Sequence, residues 1–260
     1  INESSQPFMM YLAYNAVHTP MQATDEDMAK FEGHPRQKLA AMTYALDRGV
    51  GTVIRGLKDS GKFDNTLIFF LSDNGGATTN QSSNYPLKGF KGNKFEGGHR
   101  VPYFVVWKNG IPAGKPYDGL VSSLDIFATA IDAASISKTR NRLDGVSLLP
   151  YLKGKKGEPH KVLYWRKMDT RAIRSGDYKL IITHGADSVL YNIRRDPEEM
   201  NNLINKEPDL YRKLAKKLAK WEKNECIEPS WLEEGWRKIT NRYHQQLMHN
   251  EIKTAQDLYK

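Results

Sequence analysis

The sequence predicts an α/β protein that ends in a small antiparallel sheet with a packed helix, and three observations carry that prediction. Thr66 to Leu71 (TLIFFL) is an unbroken apolar run of the kind that fills a strand buried on both faces, and it follows a long stretch of helical periodicity. Val101 to Trp107 (VPYFVVW) is a second such run, beyond a loop rich in glycine and lysine. From His160 to Ile193, β-like segments alternate with polar turns.

Taken in order, Pro7 to Ala13 (PFMMYLA) reads as a short buried strand that breaks at Asn15-Ala16-Val17-His18-Thr19-Pro20, leaving His18 in a loop at a strand end. From about Pro35 to Ser60, Leu39, Met42, Leu46, Val50, Val53, Ile54 and Leu57 recur at helical spacing, and Ser60-Gly61 closes the run. Strand, helix and strand in that order imply an α/β crossover unit. Ligands of such sheets gather beyond the carboxyl ends of the strands, where Asp73 and Asn74 fall. Ser123 to Ala134 reads as a helix, and the polar stretch Ser135 to Asn141 as a subdomain boundary. Val162 to Trp165, Lys179 to Thr183 and Val189 to Tyr191 read as strands of the small sheet, and Pro208 to Glu222 as a helix. Glu228 to Lys260 is expected to be a helical tail. The expected division is a catalytic α/β part over 1–140, a small α+β part over 141–225 and the tail over 226–260.

A hydrophobic content of 39% over 260 residues is that of a folded chain with a sizeable core. The 39 Lys+Arg against 30 Asp+Glu give a formal +9, which favours polyanionic partners. Nucleic acid is ranked last among these, because no helix-turn-helix, zinc-finger or RNA-binding signature accompanies the charge. The single cysteine, Cys226, excludes an intrachain disulfide and a multi-cysteine zinc site. No apolar run approaches the roughly 20 residues of a spanning helix, so no membrane span is expected. Ile1-Asn2-Glu3-Ser4-Ser5 is not a signal-peptide start, and the chain reads as beginning in mid-protein.

Asp73-Asn74-Gly75 supplies a carboxylate and an amide oxygen, hard donors suited to Ca²⁺ or Mg²⁺, although the same tripeptide is also a common turn. Leu87 to Pro102 (LKGFKGNKFEGGHRVP) mixes glycines, which let backbone approach an oxyanion, with lysines, which give it charge-assisted hydrogen bonds. Its spacing fits no Walker-type phosphate loop.

Three ordered motifs resemble those of the arylsulfatase-type, formylglycine-dependent sulfatases of the alkaline phosphatase superfamily. They are Ala16-Val17-His18-Thr19-Pro20, Ser72-Asp73-Asn74-Gly75, and Lys91-Gly92-x-x-Phe95-Glu96-Gly97-Gly98-x-Arg100-Val101-Pro102. Leu143 to Pro150, Ala172 to Leu180 and Leu190 to Leu203 are similar to later pieces of the same family, so the likeness runs from about Pro7 to Leu203.

The resemblance implies an alkaline-phosphatase-like sandwich with a central, mostly parallel sheet, of which this is the C-terminal part. It implies that Asp73 and Asn74 are two ligands of a divalent ion, Ca²⁺ or Mg²⁺. His18 and Lys91 would bind the sulfate ester, either of them protonating the leaving alcohol oxygen. Lys88, Lys94 and His99 are candidate substrate contacts, as are Trp165, Arg166, Arg171 and His184 on the small sheet. Glu96 and Arg100 are expected to form an ion pair that holds the loop. The family's Cys- or Ser-x-Pro-x-Arg segment, whose first residue becomes the formylglycine nucleophile, is absent, and Cys226 lacks that pattern. The expectation is therefore a partial chain, inactive by itself, whose partner is the missing N-terminal half. The implied function is a sulfuric-ester hydrolase acting on a sulfated carbohydrate in the periplasm or outside the cell. The alternatives are a non-catalytic sulfated-glycan-binding remnant and a phosphate or phosphonate ester hydrolase of the same superfamily.

Overall fold

Thr24 opens the first helix, α1 (Asp25–Ala29), its side-chain oxygen accepting from the Asp27 N–H. The computed structural model describes residues 6–136, 142–226 and 234–259. Asp27 is buried and held in a fork by Arg48 at 2.6 and 2.8 Å, which fastens α1 to α2 (Gln37–Asp59). α2 is the amphipathic helix predicted between Pro35 and Ser60, burying Ala41, Met42 and Leu57. It stops at Ser60-Gly61, where Gly61 takes a φ of 69°. The two apolar runs form β1 (Ile68–Leu71) and β2 (Tyr103–Val106), neighbours in a two-stranded sheet.

The chain forms two compact units, Ile1–Phe69 with Phe104–Pro116, and Phe70–Tyr103 with Tyr117–Lys260. In the first, residues 7–13 form no strand, contrary to the reading of their apolar run, and Met9 and Tyr11 are 85% and 88% exposed. A strand needs a hydrogen-bonded neighbour, and among the described residues none pairs with this run. The boundary expected at Ser135 to Asn141 falls largely on 137–141, outside the described residues, as does 228–233 of the expected tail.

The second unit is built on a four-stranded antiparallel sheet, β3 (Val162–Lys167), β4 (Thr170–Ser175), β5 (Tyr178–Thr183) and β6 (Ser188–Asn192), in sequential order. The β3–β4 and β4–β5 turns are two residues long and open on left-handed residues, Met168 (φ 50°) and Gly176 (φ 56°). Only three strands were expected, and β4 is the addition. Register sets Ala172, Ile181 and Val189 on one face and Ile173, Leu180 and Leu190 on the other.

The first face is covered by Phe90 and Phe95 and by Leu247 and Met248 of α7 (Glu234–Met248). The second receives Leu214 and Leu218 of α6 (Pro208–Glu225), one turn apart on its apolar stripe. Ahead of the sheet lie α4 (Asp125–Ala133) and the single turn α5 (Leu149–Leu152). Buried Asp125 ties them together, accepting from Ser122 N–H, Val146 N–H and His160 at 2.7 to 2.9 Å. Leu218→Ala is expected to cost about 2–5 kcal/mol, because the packed helix cannot collapse into the space left. A urea titration would read this as a lower midpoint at unchanged slope.

Candidate anion and metal site

Beyond β1 the chain turns sharply, with the Ser72 hydroxyl donating to Asn74 O at 2.8 Å. The Asn74 amide donates to the Asp73 carboxylate, so the two head groups meet at the end of the strand. Amide oxygen and nitrogen exchange places by a half-turn of the side chain. The pair can thus present two hard oxygens side by side, as Ca²⁺ or Mg²⁺ requires. Among the described residues no group of three or more His, Cys, Asp or Glu is arranged to hold a metal ion by itself, and Asp73 with Asn74 offers two donors.

The turn is locked to the loop that follows. Gly75 N–H donates to Gly98 O at 3.1 Å, and a Cβ on Gly75 would stand 1.8 Å from Gly97 O, so no side chain fits there. Lys91 N–H donates to Gly76 O at 3.0 Å. This brings the backbone of the sulfate-binding candidate directly onto the Asp73-Asn74 turn.

The interior of the same loop is a buried polar network. Glu96, which opens the short helix α3 (Glu96–His99), lies 2.8 Å from Lys179 and 3.6 Å from each of His99, Arg100 and Arg174. The expected Glu96–Arg100 pair is therefore one of three cation contacts, with the His99 ring as a fourth neighbour. Lys179 is also 2.8 Å from Glu199, which in turn accepts from the Glu96 N–H at 2.6 Å. Burial opposes ionisation of Glu96, but Lys179, with Arg174, outweighs it and brings its carboxyl down to about 2. Burial, with Glu96 nearby, pushes Glu199 up to about 7.

Lys88 is not a substrate contact. Its side chain is fully buried over the rings of Phe95 and Tyr191, and its ammonium donates to Glu199 O at 2.5 Å, Leu247 O at 3.2 Å and Asn250 Oδ1. Burial lowers it to about 8. Next to it Gly89 N–H donates to Lys253 O at 2.7 Å. Arg171 is also redirected: odd-numbered on β4, it faces α6 and binds Glu222 at 3.0 Å, as Arg166 does at 3.3 Å.

His99 keeps a side chain 17% exposed, packs tilted against Trp165 with ring centroids 4.5 Å apart and bonds Phe95 O through Nδ1 at 3.0 Å. Burial and the Lys179 cation hold it down to about 3, so it is a neutral ring and not a cation. His18 belongs to the first unit, where Nδ1–H donates to Thr19 O at 2.5 Å. Two residues that sequence reasoning did not single out belong to this network, Lys179 and Glu199. The signal for Lys179 was there, a lysine inside the apolar run Tyr178 to Ile182.

A carboxylate and an amide on a strand-end turn, joined through glycines to a lysine-bearing loop, are the parts with which an α/β protein holds an anion against a cation. The sulfatase family model matches residues 1–136, and that of the C-terminal region of N-sulphoglucosamine sulphohydrolase matches residues 91–224. The chain belongs to the sulfatase family, and its fold is that of the alkaline-phosphatase-like sulfatases.

Among curated relatives it is 44% identical over 167 residues to the uncharacterized sulfatase YdeN of Escherichia coli (strain K12), covering 62% of this chain and 30% of that protein. It is 33% identical over 181 residues to the N-acetylgalactosamine-6-sulfatase of Canis lupus familiaris, covering 68% and 34%. The crystal structure of Ps i-CgsB in complex with k-i-k-neocarrahexaose superposes with a TM-score of 0.81 at 35% identity, over 95% of this chain and 58% of that one. The chain thus spans about a third of the length of these curated relatives.

Proposed function

We propose that this chain supplies the sulfate-holding half of a sulfatase that cleaves sulfate esters from a sulfated carbohydrate. The observation that carries the reading is the tie between the Asp73-Asn74 turn and the Lys91 loop. Lys91 would hold the ester's sulfuryl oxygens by charge-assisted hydrogen bonds. His18, its tautomer fixed by Thr19 O, would offer Nε2–H to the departing alcohol oxygen when protonated. Asp73 and Asn74 would hold Ca²⁺ or Mg²⁺, whose charge offsets that of the sulfate. The nucleophile would be the formylglycine of an N-terminal half, and the exposed apolar side chains of Met9, Met10, Tyr11 and Leu12 support a partner surface on this run.

A glycan substrate is supported by the formal +9 charge and by the neocarrahexaose held in the complex of the similar Ps i-CgsB. A polymeric substrate of this kind also supports a periplasmic or secreted location. Among the described residues no helix is long and apolar enough to cross a membrane. The test is sulfate release from sulfated oligosaccharides by protein carrying these residues together with a formylglycine segment. Asp73→Ala and Lys91→Ala are each expected to lower kcat/KM by about 10²–10³-fold. Undiminished turnover in both variants would overturn the assignment, and faster cleavage of an aryl phosphate than of an aryl sulfate would replace it with phosphate ester chemistry.

A further inference from the structure

The second unit holds a buried cation that nothing in the sulfate-holding scheme uses. Lys94 follows Lys91 by one turn of the loop and is 9% exposed. Among the described residues its ammonium forms no hydrogen bond or ion pair. Burial, then Lys167 and Lys179, bring it down to about 8, so its charged neighbours are themselves cations. The nearby Glu96 carboxylate is already engaged by Lys179 and Arg174.

Lys167 is the second cation of the group. It ends β3, on the same face as Trp165, and its Nζ lies 2.9 Å from where a Cβ on Gly92 would stand. Residue 92, a glycine at φ 97°, leaves that space open next to Lys91. Burial and the Lys91 charge lower Lys167 as well. A buried cation without a counter-charge is costly, and a methionine at position 94 would pack in its place without that cost. Such a cost is sustained where an anion arrives to complete the site.

We propose that Lys94 and Lys167 form a subsite for a second anionic group of the glycan, a sulfate or a carboxylate on the sugar that neighbours the ester held by Lys91. The proposal rests on the sulfatase reading and extends it from one sulfate to a multiply charged substrate. An ammonium donates to either oxyanion, so the chemistry shared by the two groups defines the subsite.

Calorimetric titration of the full chain with three disaccharides tests it without requiring turnover. One carries a single sulfate ester, one carries two, and one carries a sulfate and a uronic carboxylate. At least tenfold tighter binding of a doubly charged disaccharide than of the singly charged one is expected, and the tighter of the two names the second group. Lys94→Met and Lys167→Ala should each reduce that preference to threefold or less, while Lys220→Ala, on the exposed side of α6, should keep it. No preference in the unmodified chain, or the same preference in all three variants, overturns the subsite.

Thermal melts guard against misfolding. Lys94→Met should raise Tm by about 2–4 °C for each kcal/mol of relieved charge burial, and a lowered Tm would assign Lys94 to stability and overturn the proposal. The two readings fail separately. A retained binding preference with no sulfate release by protein containing the formylglycine segment removes the sulfatase and leaves the subsite. Release at equal kcat/KM from singly and doubly charged disaccharides does the reverse.

Discussion

Lys179→Met is expected to destabilise the second unit by about 3–5 kcal/mol, the usual result of removing one partner from a buried charge network. Lys179 is fully buried and stands 2.8 Å from both Glu96 and Glu199. Without its ammonium, two carboxylates face each other in the interior, with Arg100 and Arg174, each 3.6 Å from Glu96, as the remaining cations beside it among the described residues. Adding Glu199→Gln to Lys179→Met should restore part of the loss, because one buried charge is then removed along with its partner. Urea titration of the two variants and the double variant measures this directly. Equal stability of Lys179→Met and the unmodified chain would show that the network contributes nothing.

Acid should unfold the same unit in a definite window. His244 is fully buried, with Nδ1–H donating to Thr240 O at 2.9 Å, and burial lowers it to about 4, while His99 is lowered to about 3. Both lie below the 6.5 of an unfolded histidine. Their neutral forms therefore stabilise the fold fully above that pH, and the contribution is lost as pH falls toward 4 and then 3. Glu96, lowered from 4.5 to about 2, adds its own loss below 4.5.

Glu199 runs the other way: raised from 4.5 to about 7, it favours the fold when protonated, and its contribution declines as pH rises through that interval. The acid side carries three groups against one, and the combined loss between pH 6.5 and 3 is on the order of several kcal/mol. The urea midpoint should fall steeply below about pH 5, and His244→Gln should flatten the upper part of that fall. A midpoint steady from neutrality to pH 4 would contradict the buried, neutral state of both rings.

The contrast between what was readable and what was not follows from where the partners lie. The long helix α2, strands β1 and β2 and the Asp73-Asn74 turn were legible because period, apolar runs and glycines act over a few neighbouring residues. β4 was not, because Thr170 to Ser175 contains two arginines and reads as polar. In the sheet Arg171 meets Glu222 and Arg174 meets Glu96, partners distant in sequence that allow a charged strand to be interior. Lys88 misled for a similar reason: its acceptors are mainly backbone carbonyls of distant segments, which no residue type announces. Residues 7–13 misled in the opposite sense, since an apolar run supplies the faces of a strand but not its neighbour.

The fastening of Lys88 and Gly89 has a consequence for where the working part of this polypeptide ends. The proposed sulfate- and metal-holding residues all lie before position 224, the limit of the matching family models. The loop carrying Lys91 is nevertheless pinned by Leu247, Asn250 and Lys253, and Tyr259 reaches back to Thr78 O at 2.8 Å. The stretch with no motif of its own is the keystone of the motif. A version cut to its recognisable portion would keep all of the proposed site residues and lose what holds their loop in position.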